Sequence, residues 1–164
     1  MSVSLYYAET VAGPVKIVLG KGKVLALGFI EVLPKIRKSI QMPPILKEAF
    51  SARSVGNGSV LQAQGSKFQI EVWNALLKVK FGETCTYGKI AKDIGRPDHV
   101  RAVAGAISRN KIAIVVPCHR IIPKSGKVGG YHWGSNTKKA LLRHETESNN
   151  IECIFIKYFE CEKV

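Results

Sequence analysis

No stretch of this 164-residue sequence stays apolar for longer than about seven residues, Val24 to Ile30, and Gly28 interrupts even that run. A helix needs roughly 20 such residues to cross a bilayer, so the pattern argues against a membrane span. The first residues also lack the charged-then-apolar order of a secretory leader. Cysteine is scarce and unpaired: the four stand at 85, 118, 153 and 161 with no CxxC spacing. That disfavours both a disulfide framework and a structural zinc site, and it fits a reduced, cytoplasmic compartment. Acidic residues are few as well, 12 against 25 Lys and Arg, for a formal charge of +13. Hydrophobic content of 46% excludes a disordered chain and suits an ordinary globular one.

The charge is concentrated. Residues 86 to 144 hold twelve Lys or Arg against only Asp93 and Asp98, whereas the last twenty residues are net negative. A basic segment of this density implies a polyanionic partner, most simply nucleic acid, because neutralising phosphates supplies affinity without reading sequence.

Along the chain, Val3 to Tyr7, Val15 to Leu19 and Val24 to Ile30 are short apolar runs parted by Gly13-Pro14 and by Gly20-Lys21-Gly22-Lys23. This punctuation predicts a small antiparallel sheet. Pro43-Pro44 can open a short helix through Phe50. From Gly65 the character changes. Ser66 and Gln69 make a capping box, and Phe68, Val72, Leu76 and Val79 form an apolar stripe, predicting a packed helix over 66–79 with Trp73 in the core. Thr86 can cap a helix from Tyr87 to Ile94 ended by Gly95. A second helix follows over 98–108, with Val100, Val103, Ala104 and Ile107 inward. Two short helices joined by a glycine turn make a helix-turn-helix candidate.

The outer face of that second helix carries Arg101, Ala102, Gly105, Ala106 and Ser108. Nearly all are small, and a glycine inside a helix costs about 1 kcal/mol, so close approach of a partner is expected there. Major-groove readers carry several long polar side chains. Their absence points to sequence-independent binding in the minor groove with Arg101 as a wedge; helix–helix packing would favour the same small residues.

The stretch that organises the chain is Ile112-Ala113-Ile114-Val115-Val116-Pro117-Cys118-His119-Arg120-Ile121-Ile122-Pro123. Its first apolar run reads as a buried strand or extended segment that delivers Cys118. A thiol with a pKa near 8.5 needs a base or cations nearby to become a nucleophile, and His119 and Arg120 are the candidates. In a regular strand His119 would point away from Cys118. It can assist only if the backbone turns or a water bridges them. Glu145 is a carboxylate that could orient the imidazole. The glycine-rich aromatic loop Lys124 to Gly134 and a helix from Asn136 to Arg143 follow, and the tail Ile151 to Val164 is apolar enough to pack, for which an extra strand is the expected form.

Pro117-Cys118-His119-Arg120, with Arg101 to Ala106 and Asn110 before it and Gly130-Tyr131 and Lys138 to Glu145 after it, closely resembles the O6-alkylguanine-DNA alkyltransferases, the methylated-DNA-protein-cysteine methyltransferases. The resemblance runs strongly from Gly65 to Glu145 and more faintly through the N-terminal sheet. It implies an α/β (α+β) fold: a ribonuclease H-like N-terminal sheet scaffold over 1–64, an alkyltransferase domain with a DNA-binding helix-turn-helix over 65–148, and a tail over 149–164. It implies irreversible, single-turnover transfer of an alkyl group from O6-alkylguanine in double-stranded DNA to Cys118, with no cofactor and no metal, by a monomer.

Carried over residue by residue, the resemblance makes His119 a base acting through a water, Glu145 its orienting partner and Asn110 the brace of the turn. Tyr87 would press on the target phosphate and protonate the leaving guanine. Arg101 would fill the vacated stack, with Ala102, Gly105 and Ser108 against the minor groove. Gly130, Tyr131 and His132 would wall the base pocket, Lys138 would stand with them, and the carbonyls of Cys118 and Ile121 would accept from the exocyclic amine. Position 132 is His where some members have Ser, which leaves open whether a backbone amide or the imidazole meets O6. Tyr131-His132-Trp133-Gly134 looks closer to the bacterial adaptive-response type. The N-terminal Cys/His set of zinc-binding members is missing. A non-catalytic alkyltransferase-like damage binder is the alternative, but such relatives lack the cysteine. A cysteine hydrolase would leave the helix-turn-helix idle, and a zinc site built from Cys118, His119, His132 and His144 has no common ligand spacing.

Overall fold

Residues 3–33, 38–56, 58–148, 150 and 154–160 are described by the computed structural model of the chain. Strands β1 (Val3–Thr10), β2 (Gly13–Gly20) and β3 (Lys23–Phe29) form the expected meander. The β2–β3 turn places Lys21 and Gly22 at φ +52° and +65°, the two left-handed positions a tight hairpin needs. Alternation along β2 turns Val15, Ile17 and Leu19 inward, the period-2 pattern of a sheet with one buried face.

Two further strands enlarge this sheet. β4 (Lys38–Ile40) precedes α1 (Pro44–Phe50), whose first residue is the second of the Pro43-Pro44 pair. Near the far end of the chain, β7 (Phe155–Glu160) lies antiparallel between β1 and β4, giving the order β3-β2-β1-β7-β4. The expected extra strand is thus present over 155–160, and its place is beside the first strand. The rest of the tail, 149, 151–153 and 161–164, lies outside the described residues. Phe155 stacks on Tyr158 and meets Phe50 edge-on, so the strand carries apolar cover for α1.

The helical part begins with α2 (Lys67–Leu76), slightly shorter than the 66–79 expected because the chain leaves the helix in turns after Leu77. Its capping box is complete: Gln69 N donates to Ser66 Oγ and Ser66 N donates to Gln69 Oε1. Trp73 is 1% exposed, and its indole N–H donates to the Ala106 carbonyl at 2.9 Å. Gly65 is required by this packing, because a Cβ there would stand 2.7 Å from the Trp73 ring. Thr86 caps α3 (Tyr87–Asp93) as expected. Gly95, at φ +71°, turns the chain into a 3₁₀ turn, Pro97–His99, and then into α4 (Val100–Ser108). The single helix expected over 98–108 is therefore two elements, since Pro97 favours the tighter turn at its start.

Two expectations about α4 need correction. Val100 is 37% exposed rather than inward, and Ala106 is buried against Trp73 rather than on the outer face. The inward stripe is Val103, Ala106 and Ile107, the i, i+3, i+4 set of a helix entered two residues later than expected.

The apolar run before Cys118 is a turn-rich segment instead of a strand. Ile112 alone makes a parallel bridge, to Leu27 of β3. Beyond it Val115 N bonds to Ala113 O, Val116 N bonds to Ile112 O, and Ile114 takes φ +67°. All five side chains are buried, so hydrophobicity alone did not distinguish the two conformations. A parallel pair, β5 (Cys85–Thr86) with β6 (Ile121–Ile122), ties the start of α3 to the residues after Cys118. The last helix, α5 (Ser135–Glu147), runs one turn beyond the expected Arg143.

Candidate active site

Cys118 opens a 3₁₀ turn, Cys118–Arg120, and this bend answers the objection that neighbouring side chains in a strand diverge. Asn110 holds it. Its Nδ2 reaches the carbonyls of Ile112 (3.3 Å) and Val116 (2.9 Å) and the Cys118 sulfur (3.1 Å), while its Oδ1 accepts from Ile112 N. A side chain satisfying backbone groups in this way competes directly with strand pairing. It explains why the β-branched run does not extend. β3 steadies the same segment, since Leu27 N donates to Lys111 O and Ala113 N donates to Leu27 O.

His119 is fully buried, and its Nε2 lies 2.7 Å from Glu145 Oε1. Burial alone would raise the Glu145 carboxyl, but hydrogen bonds from His119 and Arg120 outweigh it and bring the pKa down to about 2. The carboxylate is thus ionised and accepts, so Nε2 carries the hydrogen and Nδ1 keeps its lone pair. Burial lowers the His119 pKa more than Glu145 raises it, which favours the neutral ring. Nδ1 is buried and makes no hydrogen bond within the protein.

Arg120 supplies the charge balance. Its Nε reaches both Glu145 oxygens (3.1 and 2.9 Å), Nη2 donates to Oε1 and Nη1 donates to Val79 O at 2.7 Å. Gly82 N donates to Glu145 Oε2. One carboxylate on α5 therefore holds the Cys-His-Arg turn and the α2–α3 connection together. In the sequence Arg120 looked like a neighbour of the thiol; the structure turns it to the carboxylate. Only the placement of Glu145, 25 residues away, reveals that role, and no local signal could have done so.

Cys118 itself is 5% exposed. Burial raises its pKa; the Asn110 N–H, the Tyr131 side chain and the charge of Lys138 oppose this only in part. The thiol therefore rests protonated at neutral pH. It faces a cavity of about 350 Å³ lined by Tyr87, Ala104, Ile107, Ser108, Gly130, Tyr131 and His132, within the usual size range of small-molecule sites. The Tyr131 hydroxyl is buried beside the sulfur without a hydrogen bond of normal geometry, and burial drives its pKa well up. Burial also raises Tyr87. Both phenols stay protonated at neutral pH.

The expected pocket residues divide. Gly130, Tyr131 and His132 line the cavity, as do Tyr87 and Ser108. Ile121 and Lys138 do not. Lys138 is buried behind the loop, where its Nζ donates to Ile121 O (2.6 Å) and Gly130 O (3.3 Å) and staples the wall from outside. Ala104 and Ile107, read as core positions, contribute to the lining as well. Arg101, Ala102 and Ser108 are exposed along α4, with Gly105 half-buried between them. Among the described residues no group of three or more His, Cys, Asp or Glu could hold a metal, and no helix is long and apolar enough to cross a membrane.

Residues 67–147 match the family described as 6-O-methylguanine DNA methyltransferase, DNA binding domain. The methylated-DNA–protein-cysteine methyltransferase of Methanosarcina barkeri is 36% identical over 159 residues, a match covering 88% of this chain and 99% of that protein. The chain belongs to this methyltransferase family. The crystal structure of Mycobacterium tuberculosis OGT in complex with DNA superposes with a TM-score of 0.66 at 35% identity, over 87% of this chain and 92% of that one. The bifunctional transcriptional activator and DNA repair enzyme Ada of Escherichia coli is 47% identical over 88 residues, 54% of this chain. Here the chain spans only 25% of the relative's length, and 28% of the regulatory protein Ada of Salmonella typhimurium. The mixed fold of sheet and helices is shared with the O6-methylguanine methyltransferase of Mycobacterium tuberculosis, whose structure superposes with a TM-score of 0.69 at 31% identity, over 92% of this chain and 98% of that one.

Proposed function

We propose that this protein repairs O6-alkylguanine in double-stranded DNA by taking the alkyl group onto Cys118, once per molecule. The observation that carries the reading is a buried thiol at the floor of a base-sized cavity, next to a buried His119–Glu145–Arg120 chain. The thiol proton passes through a water to His119 Nδ1 as sulfur attacks the alkyl carbon. The S–C bond forms and the C–O6 bond breaks. Tyr87 donates a proton to the leaving guanine, and solvent returns the proton held by His119 to the phenolate. The thioether has no route back, so the protein is consumed.

Because burial keeps Cys118 protonated, attack must be coupled to this proton transfer. Glu145 and Arg120 hold the imidazole in the tautomer that can accept. Asn110 braces the bend, and its N–H stabilises charge growing on sulfur. Gly130, Tyr131 and His132 wall the base, with the His132 imidazole or a loop amide on O6, and the carbonyl of Cys118 accepts from the exocyclic amine, the Ile121 carbonyl being taken by Lys138. Lys138 fixes the loop. Arg101 fills the stack that the flipped base leaves, offsetting part of the few kcal/mol that unstacking costs, while Ala102, Gly105 and Ser108 admit the minor groove. In this reading the unit over 65–148 performs the chemistry on a scaffold supplied by 1–64, as a monomer, without cofactor. The free thiols of Cys85 and Cys118 support a reduced, cytoplasmic setting.

The test is an O6-benzylguanine substrate labelled on the benzyl group, followed by intact mass. One equivalent should add irreversibly to Cys118. Repeated turnover, or full labelling of Cys118→Ala, overturns the proposal.

A further inference from the structure

The cavity at Cys118 is the mouth of a longer furrow. Through Ser108 and His132 it adjoins a second cavity of about 510 Å³, and that one, through Gln64 and Lys111, adjoins a third of about 440 Å³. The furrow leaves the C-terminal end of α4, passes between the helical part and the sheet, and ends at the β2–β3 turn. Its cations are Arg109, Lys111 and Lys21, interleaved with the amides of Gln62, Gln64 and Gln69. None of the described lining residues is acidic. Lys21 and Lys111 are both exposed and pair with no carboxylate among the described residues.

We propose that this furrow binds an unpaired nucleic-acid strand continuing from the DNA held on α4. This rests on the reading of the chain as a DNA-repair protein and adds a second contact surface to it. A duplex placed on α4 needs only the exposed face with Arg101, and that face does not account for Lys21 in the β2–β3 turn. A chain of cations spaced along a narrow channel suits a single phosphate backbone, and side-chain amides supply donors and acceptors for base edges without demanding one sequence. The furrow opens beside the nucleophile, so strand and damaged base can be engaged together. The protein would then favour damage beside gaps, frayed ends and junctions.

The experiment compares binding of an undamaged blunt duplex with the same duplex carrying a single-stranded extension of about ten nucleotides, on each end in turn. One extension should tighten binding by wild type about three- to tenfold, an effect of two or three neutralised phosphates. The pair Lys21→Asn and Lys111→Gln should abolish this gain while leaving blunt-duplex binding intact, and should reduce the salt dependence on extended DNA by about 1.4 in log–log slope. Asn suits position 21 because it tolerates the left-handed backbone there. An extension that changes nothing in wild type overturns the furrow, and so does a variant weakened equally on both DNAs. Reaction with free O6-benzylguanine is read separately. Its failure in wild type would count against alkyl transfer and leave the strand-binding result standing.

Discussion

His119 Nε2 and Glu145 Oε1 stand 2.7 Å apart, with neither side chain more than 1% exposed. The contact closes a chain from the cavity wall to α5, and its strength depends on the charge of Arg120 on the other side of the carboxylate.

Glu145→Gln tests that chain first. It preserves volume but leaves the Arg120 guanidinium buried without its counter-charge. Breaking a buried pair this way costs about 3–5 kcal/mol. Urea denaturation should show the midpoint falling by the corresponding amount, and alkyl transfer should be lost even where the variant is folded. A stability equal to wild type would mean that the pair is solvated in solution.

Acid should weaken the fold in two stages. Glu145 has its pKa lowered from 4.5 to about 2 on folding, so its contribution is complete above the unfolded value and is lost as pH falls from about 5 through 2. The lost amount is roughly 3 kcal/mol. His119 is also lowered. The unfolded chain binds its proton first, so stability already begins to fall as pH drops through about 6.5. Denaturation across pH 3 to 8 should therefore slope throughout the acid side, and Glu145→Gln should flatten the lower part. The reaction rate should fall on the same side, because a protonated His119 cannot take the thiol proton.

Asn110→Ala removes four hydrogen bonds around one bend. The orphaned buried groups should cost about 2–3 kcal/mol. A second effect is specific to the sulfur, which loses the N–H that offsets its burial. Alkylation of Cys118 by a small thiol reagent should move to higher pH than in wild type. A stability loss without that movement would make Asn110 a purely structural brace.

Arg101→Ala should separate flipping from chemistry. Arg101 is exposed on α4 and does not line the cavity. Repair of duplex DNA should slow at least tenfold, about 1.4 kcal/mol of a stacking contact, while the rate on free O6-benzylguanine stays at the wild-type value. Equal slowing on both substrates would remove the wedge role.

Local signals carried over from sequence to structure with little change. Ser66 with Gln69, Thr86 before α3, and Lys21-Gly22 in the hairpin each act within four residues, and each was legible. The turn at Cys118 was legible only through the resemblance that made Asn110 its brace, not from the apolar run itself, because it depends on one amide. Asn110 captures the backbone of Ile112 and Val116, and a β-branched run that would pair in another setting folds back on itself. Arg120 was misassigned for a similar reason: its partner arrives from α5. The lining of the cavity by Ala104 and Ile107 was hidden because a small apolar residue at a helix position reads as core whether its neighbour is protein or substrate.

The placement of β7 bears on how the protein is made. β1 finds β2 almost at once, across a two-residue turn, but its other edge waits for β7, where Ala8 meets Tyr158. A ribosome delivers the two roughly 150 residues apart. Throughout that interval β1 presents an unpaired edge, the kind of template that recruits strands from other chains. During synthesis, then, the first sheet to begin is the last to close.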